Sequence, residues 1–283
     1  MAGIFNPFDY SKPGPGVPKD ASPKSGIRVF FEVLKRKLWA IIKLNLLYTL
    51  FNLIGLVMVF FGLQLLFPYV IYDTPEADIF LRLFTGAVFL CIPIVSFGPA
   101  QAGMTYVLRN YSREEHAFTW YDFKKHALNN LRQSLLLCVI DFITFLLLCF
   151  AINFYSQLIS VYSWAYLAVG MIFAVFIFFL MTHLFIYPML VTFHLTIKQL
   201  YKNALIFSAL RFLPNLGILL IDVVIILLSF VFPVLGFLLF LLIIPSLTGF
   251  INTSYACRIL AKYMTPAADD STISESAEDS ESL

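Results

Sequence analysis

The sequence predicts an all-α, polytopic membrane protein: six transmembrane helices, three amphipathic interfacial helices and both termini in the cytoplasm. Three observations predict it. Of the 283 residues, 60% are hydrophobic and only 13% charged, where a soluble domain carries about 25% charged residues. Mean hydropathy is +0.86, and the apolar runs reach the length of about 20 residues needed to cross a bilayer. Lys and Arg divide eighteen to one between alternate sides of those runs, and basic loops stay cytoplasmic.

Residues 1–26 hold Pro13, Pro15, Pro18 and Pro23 and no apolar signal region, so a Pro-rich cytoplasmic segment is expected there. Residues 27–262 form the membrane domain, with spans at about 44–67, 83–107, 134–155, 164–187, 215–232 and 236–256. The last two are separated by argument. Pro214 to Cys257 carries one charge, Asp222, and as one helix would run about 66 Å, twice the hydrocarbon thickness. Pro233 and Gly236 mark the turn. Residues 263–283 are acidic, with six Asp or Glu and no Lys or Arg, and are expected to be a disordered cytoplasmic tail.

Even span number follows from the charge partition. The basic residues fall in the segment through Lys43, the loop from Arg109 to Arg132, the loop from Lys198 to Arg211, and Arg258 and Lys262. The opposite side has Arg82 alone, beside Asp73, Glu76 and Asp78.

Helical apolar stripes precede spans one, three and five: Ile27, Phe30, Phe31, Leu34 and Leu38; Trp120, Phe123, Ala127 and Leu131; Ile197, Leu200, Tyr201, Ala204 and Leu205. Each is backed by basic residues, the pattern of a helix lying in the membrane interface. Box-like caps stand at Ser112 to Glu115 or Thr119 to Asp122, and at Thr196 to Gln199. Pro99 to Arg109 and Pro188 to Lys198 share a ten-residue spacing, and Lys125-His126-Ala127-Leu128 echoes Lys202-Asn203-Ala204-Leu205. These echoes fit a divergent repeat, although short apolar matches also arise by chance.

The polar residues inside spans are the candidate sites. Asp141 lies nine residues after Arg132 and Asp222 eleven after Arg211, about 13 and 16 Å along a helix. A charge there costs at least about 2.5 kcal/mol, so each must face the interior, be protonated or have a partner. A proton or cation site and a structural hydrogen bond are both open readings. His183 is a further titratable group within a span, and Asn45 and Asn52 share one face of span one, for interhelical bonding or a polar path. Pro93, Gly98 and Pro99 interrupt span two, as a kink or a solute site.

Soluble-enzyme classes find no support. The chain has no GxSxG elbow, P-loop or HExxH. Cys91, Cys138, Cys149 and Cys257 have neither disulfide-framework nor zinc spacing, and the consecutive Arg113-Glu114-Glu115-His116 does not match helical ligand spacing, so neither cofactor nor metal is expected. The basic residues serve topology, which leaves the bilayer and not nucleic acid as the partner. The cytoplasmic loop combines both charge signs and an aromatic anchor in Arg109, Arg113, Glu114, Glu115, His116, Trp120 and Asp122. That mixture suits docking to a protein, and equally a helix resting on headgroups.

Gly3-Ile4-Phe5-Asn6, Lys12 to Val17, Leu44-Asn45-Leu46-Leu47-Tyr48, Ile92-Pro93-Ile94-Val95 and above all Leu108-Arg109-Asn110-Tyr111-Ser112-Arg113-Glu114-Glu115-His116 resemble the YesL-like family of bacterial membrane proteins. The resemblance continues through Trp120, Asp122, Phe123 and Asn130 and weakens after about residue 215; Phe51-Asn52-Leu53-Ile54 departs from the family's more apolar, proline-containing stretch. The family is a domain of unknown function and brings no catalytic residues. It implies a bacterial plasma-membrane protein associated with carbohydrate uptake beside ABC-type sugar importers. The expectation is a non-enzymatic accessory or regulatory component, with a sugar ABC-importer subunit as its candidate partner; the alternative is a small-solute or proton-coupled transporter with Asp141 and Asp222 in its pathway.

Overall fold

A computed structural model describes residues 26–66 and 96–264, and all regular structure among them is helical. The expectations for the N-terminal segment, the acidic tail, Arg82 with its acidic neighbours, Pro93 and Cys91 lie outside the described residues. The elements are α1 (Gly26–Leu66), α2 (helical residues 96–112), α3 (Thr119–Asn129), α4 (Leu131–Leu158), α5 (Ala165–Leu190), α6 (Ile197–Leu210), α7 (Phe212–Val231), α8 (Pro233–Leu242) and α9 (Ile244–Tyr263). Of these, α4, α5 and α7 are each long and apolar enough to cross a membrane, and the α8 and α9 pair, bent by 54°, makes a fourth if counted as one span. Leu147, Phe150, Leu167 and Leu228 stand exposed along them, as hydrocarbon-facing side chains must.

The three stripes behave differently. Asn130 ends α3 and starts α4, and Arg211 ends α6 and starts α7, both off helical geometry. Separate α3 and α6 therefore precede α4 and α7, as the periodicity requires. The first stripe is corrected: residues 27–43 are no separate helix but run on through residues 44–66 within α1, 41 residues long and about 61 Å. Ala40-Ile41-Ile42-Lys43-Leu44 contains nothing that stops a helix. Its buried face is also shifted, to Val33, Ile41 and Leu44, while Ile27, Phe31 and Leu38 are exposed.

The caps divide likewise. Thr196 and Gln199 form a complete capping box, but α3 has Phe118 as its N-cap with no side-chain cap. Asp122 instead accepts from the Phe118 N–H at 2.8 Å, Thr119 pairs with the Tyr111 hydroxyl, and Ser112 donates to the Arg109 carbonyl. The proline spacings are not equivalent: Arg109 shares α2 with Pro99, whereas Lys198 lies in α6, beyond the α5 helix that holds Pro188. The echoed tetrapeptides do correspond, with Ala127 and Ala204 buried and Leu128 and Leu205 exposed.

Helix α2 runs through Gly98 and Pro99 without interruption among its described residues. The reason for Gly98 is close approach, since a Cβ there would stand 2.5 Å from the Ser134 carbonyl oxygen of α4. The expected span 236–256 is corrected too: the turn after α7 lies at Phe232, and a second break at Ile243 divides α8 from α9.

Two buried clusters hold the bundle. One joins α5, α6 and α9 through Phe185, Leu200 and Ala256. The other joins α1, α2, α3 and α9 through Ile41, Leu108, Phe123 and Phe250, with Phe30 stacked on Phe250 at 5.1 Å. Helix α9 belongs to both.

Candidate functional site

Breaks in the helices free backbone groups that lipid cannot satisfy, and at three of them an asparagine side chain answers. At α3 to α4, Asn130 donates to the His126 carbonyl at 2.9 Å. At α6 to α7, the fully buried Asn215 donates to the carbonyls of Phe207 and Ser208 and accepts from the Tyr255 hydroxyl at 2.6 Å. At α8 to α9, the fully buried Asn45 of α1 donates to the carbonyls of Phe240 and Leu241, at 3.1 and 2.7 Å, and accepts from the Ser246 N–H at 2.9 Å. Asn45 was legible as an intramembrane polar residue; Asn215 and Asn130 were missed, and the signal was their position beside Pro214 and between two apolar stripes.

Beside the α8–α9 break is a cavity of about 290 Å³ whose wall includes Tyr48, Asn52, Gln101, Thr248 and Asn252. Asn52 is fully buried, and its amide nitrogen donates to the Tyr48 carbonyl at 2.9 Å. Asp222 stands beside the Asn252 side chain. The structure thus brings Asn52 and Asp222 to one region.

Asp141 lies elsewhere. Tyr201 of α6 donates to its Oδ1 at 2.6 Å, and His183 Nε2 of α5 is 3.0 Å from its Oδ2. His183 Nδ1 lies 2.8 Å from the Phe179 carbonyl. A carbonyl only accepts, so Nδ1 carries a hydrogen. A single proton is therefore shared across the contact between Nε2 and Oδ2, whichever partner holds it. Cys138, Tyr187 and Tyr201 are the other titratable groups around Asp141. Tyr201, in α6, has its hydroxyl pKa pushed up by burial and by the bond to Asp141. The arrangement can hold or pass a proton between α4, α5 and α6.

At the opposite extreme of exposure, the loop candidates differ in what they touch. Arg109 donates to the Val191 carbonyl at 2.8 Å and stacks over Tyr106, so it ties α2 to the end of α5. Glu114, in the left-handed region at φ 59°, pairs with Arg36 of α1. Arg113, Glu115, His116 and Trp120 are exposed, with Phe118 and Tyr121 exposed beside them; Asp122 is committed to the start of α3. His126 stacks on Tyr106, and burial followed by the nearby Arg109 lowers its pKa to about 4. No group of three or more His, Cys, Asp or Glu side chains is placed to hold a metal among the described residues.

Apolar helices of span length, broken and braced from within by amides, define a multi-pass helical membrane protein. Residues 78–153 match the model of a family described as "Protein of unknown function, DUF624". That segment covers the described part of α2, the loop, α3 and most of α4 including Asp141. No curated protein and no solved structure matches the chain.

Proposed function

We propose that this protein is a proton-coupled transporter of a small solute in the bacterial plasma membrane, with six spans and both termini cytoplasmic. The orientation rests on the eighteen-to-one division of Lys and Arg. The observation that carries the transport reading is the contact of Asp141 with His183 and Tyr201. An ionisable pair inside a membrane domain is costly, and uncharged side chains would serve a structural bond more cheaply. Asp141 and His183 also join three helices, so a change in their proton count changes what holds α6 against α4 and α5.

Proton binding tests this directly. The purified protein in nanodiscs is titrated between pH 9 and pH 5 and compared with Asp141→Asn. The wild type should take up about one more proton per chain, and ring signals of labelled His183 should titrate with it. Identical curves for the two proteins, with His183 unchanged throughout, defeat the reading.

A second reading is an accessory of a carbohydrate importer, in line with the YesL-like resemblance. It is favoured by the exposed Phe118, Trp120 and Tyr121 beside Arg113 and Glu115, all within the segment that matches the family model. Gentle extraction from the native host separates the readings: an accessory co-purifies with importer subunits, and a transporter runs alone or with copies of itself.

A further inference from the structure

The cavity at the α8–α9 break shares no residue with the Asp141 cluster, and its hydrogen bonds have a direction. Asn52 spends one of its two amide hydrogens on the Tyr48 carbonyl, and its Oδ1 is buried without a donor. Asn252 stands beside Asp222, and its Oδ1 is likewise buried without a partner. Thr248 spends its hydroxyl hydrogen on the carbonyls of Ile244 and Pro245. Three oxygens in one wall are thereby left as acceptors. Asp222, behind Asn252, has a second oxygen, Oδ1, that is also buried without a partner.

We propose that this cavity binds a small primary-ammonium cation, held by the side-chain oxygens of Asn52, Asn252 and Thr248, with Asp222 as the counter-charge. The wall contains no Lys, Arg or His, so an anion would enter without a charged donor. A polyol would bring lone pairs of its own with every hydroxyl, whereas an ammonium group has three donors and no acceptor. Tyr48, Phe97 and Phe240 add aromatic surface, which attracts a cation to its face. The volume of about 290 Å³ is at the small end of ligand pockets. Breaks in membrane helices recur at solute sites because they free polar backbone at depth, and here Asn45 fixes the break so that the neighbouring wall is preformed.

The test is thermal unfolding of the purified full chain in detergent with ethylammonium chloride as probe. Potassium chloride at equal ionic strength, ethanol and glycerol are the controls. Ethylammonium should raise the midpoint saturably and the controls should not. Asp222→Asn should weaken the response about tenfold or more through loss of the counter-charge, and Asn52→Leu should abolish it. Should either variant fail to run as a single species, Thr248→Val, nearly isosteric and bonded only within its own helix turn, must reduce the response. Stabilisation by potassium chloride, or by glycerol or ethanol in place of ethylammonium, overturns the proposal. So does an ethylammonium response left intact by the substitutions.

Discussion

Asn45 and Ser246 are 201 residues apart, yet the Asn45 carboxamide oxygen accepts the Ser246 N–H at 2.9 Å while its nitrogen donates to the last carbonyls of α8. One side chain of α1 therefore stitches both sides of the α8–α9 break. Asn45→Leu keeps the size and removes three bonds, leaving buried backbone groups unpaired. The expected loss is about 2–4 kcal/mol. Thermal unfolding in detergent should show a lower midpoint, with Asn45→Asp intermediate. An unchanged midpoint for Asn45→Leu means that the break is held by other contacts.

Histidine 126 gives a pH dependence with a definite sign. Its pKa falls from 6.5 in the unfolded chain to about 4 in the fold, through burial and then Arg109. The unfolded chain binds more protons between those values, so stability is complete above pH 6.5 and is lost as pH falls toward 4. His126→Phe retains a ring to stack on Tyr106 and removes the titration. The acid-induced drop in midpoint should be smaller in this variant than in the wild type over that window.

Topology can be read by labelling. With the native cysteines replaced, a single cysteine at Ser160, between α4 and α5, or at Thr74 should react with an impermeant maleimide added to intact cells. One at Ser112 or Gln199, at the ends of α2 and the start of α6, should react only after the membrane is opened. Outside labelling at Ser112 would reverse the orientation given by the charge division.

The exposed loop charges distinguish the two functional readings. Arg113 and Glu115 lie 4.0 Å apart and exposed, so their pairing contributes at most about 1 kcal/mol. Exchanging them as Arg113→Glu with Glu115→Arg should leave insertion and thermal midpoint within about 0.5 kcal/mol of the wild type. An accessory should lose its importer in co-purification. Retention of an importer despite the exchange would place the contact elsewhere.

Much of this protein is written locally in its chain, because insertion depends on apolar length, flanking charge and helix stops. Those properties give the membrane class, the turn before Pro233, the Thr196–Gln199 box and the separate α3 and α6. They also give the depth of Asp141 and His183: about 15 Å from the start of α4 and about 10 Å from the end of α5, on helices joined by a short turn. What they do not give is partnership. Tyr201 meets Asp141 across 60 residues and Asn45 meets Ser246 across 201, and no local pattern distinguishes these polar residues from others at similar depth. The face that α1 buries and the break at Ile243 were likewise decided by tertiary structure. Lipid cannot satisfy a free amide or carbonyl, so whichever side chain packing brings within reach determines where a helix in this bundle can end.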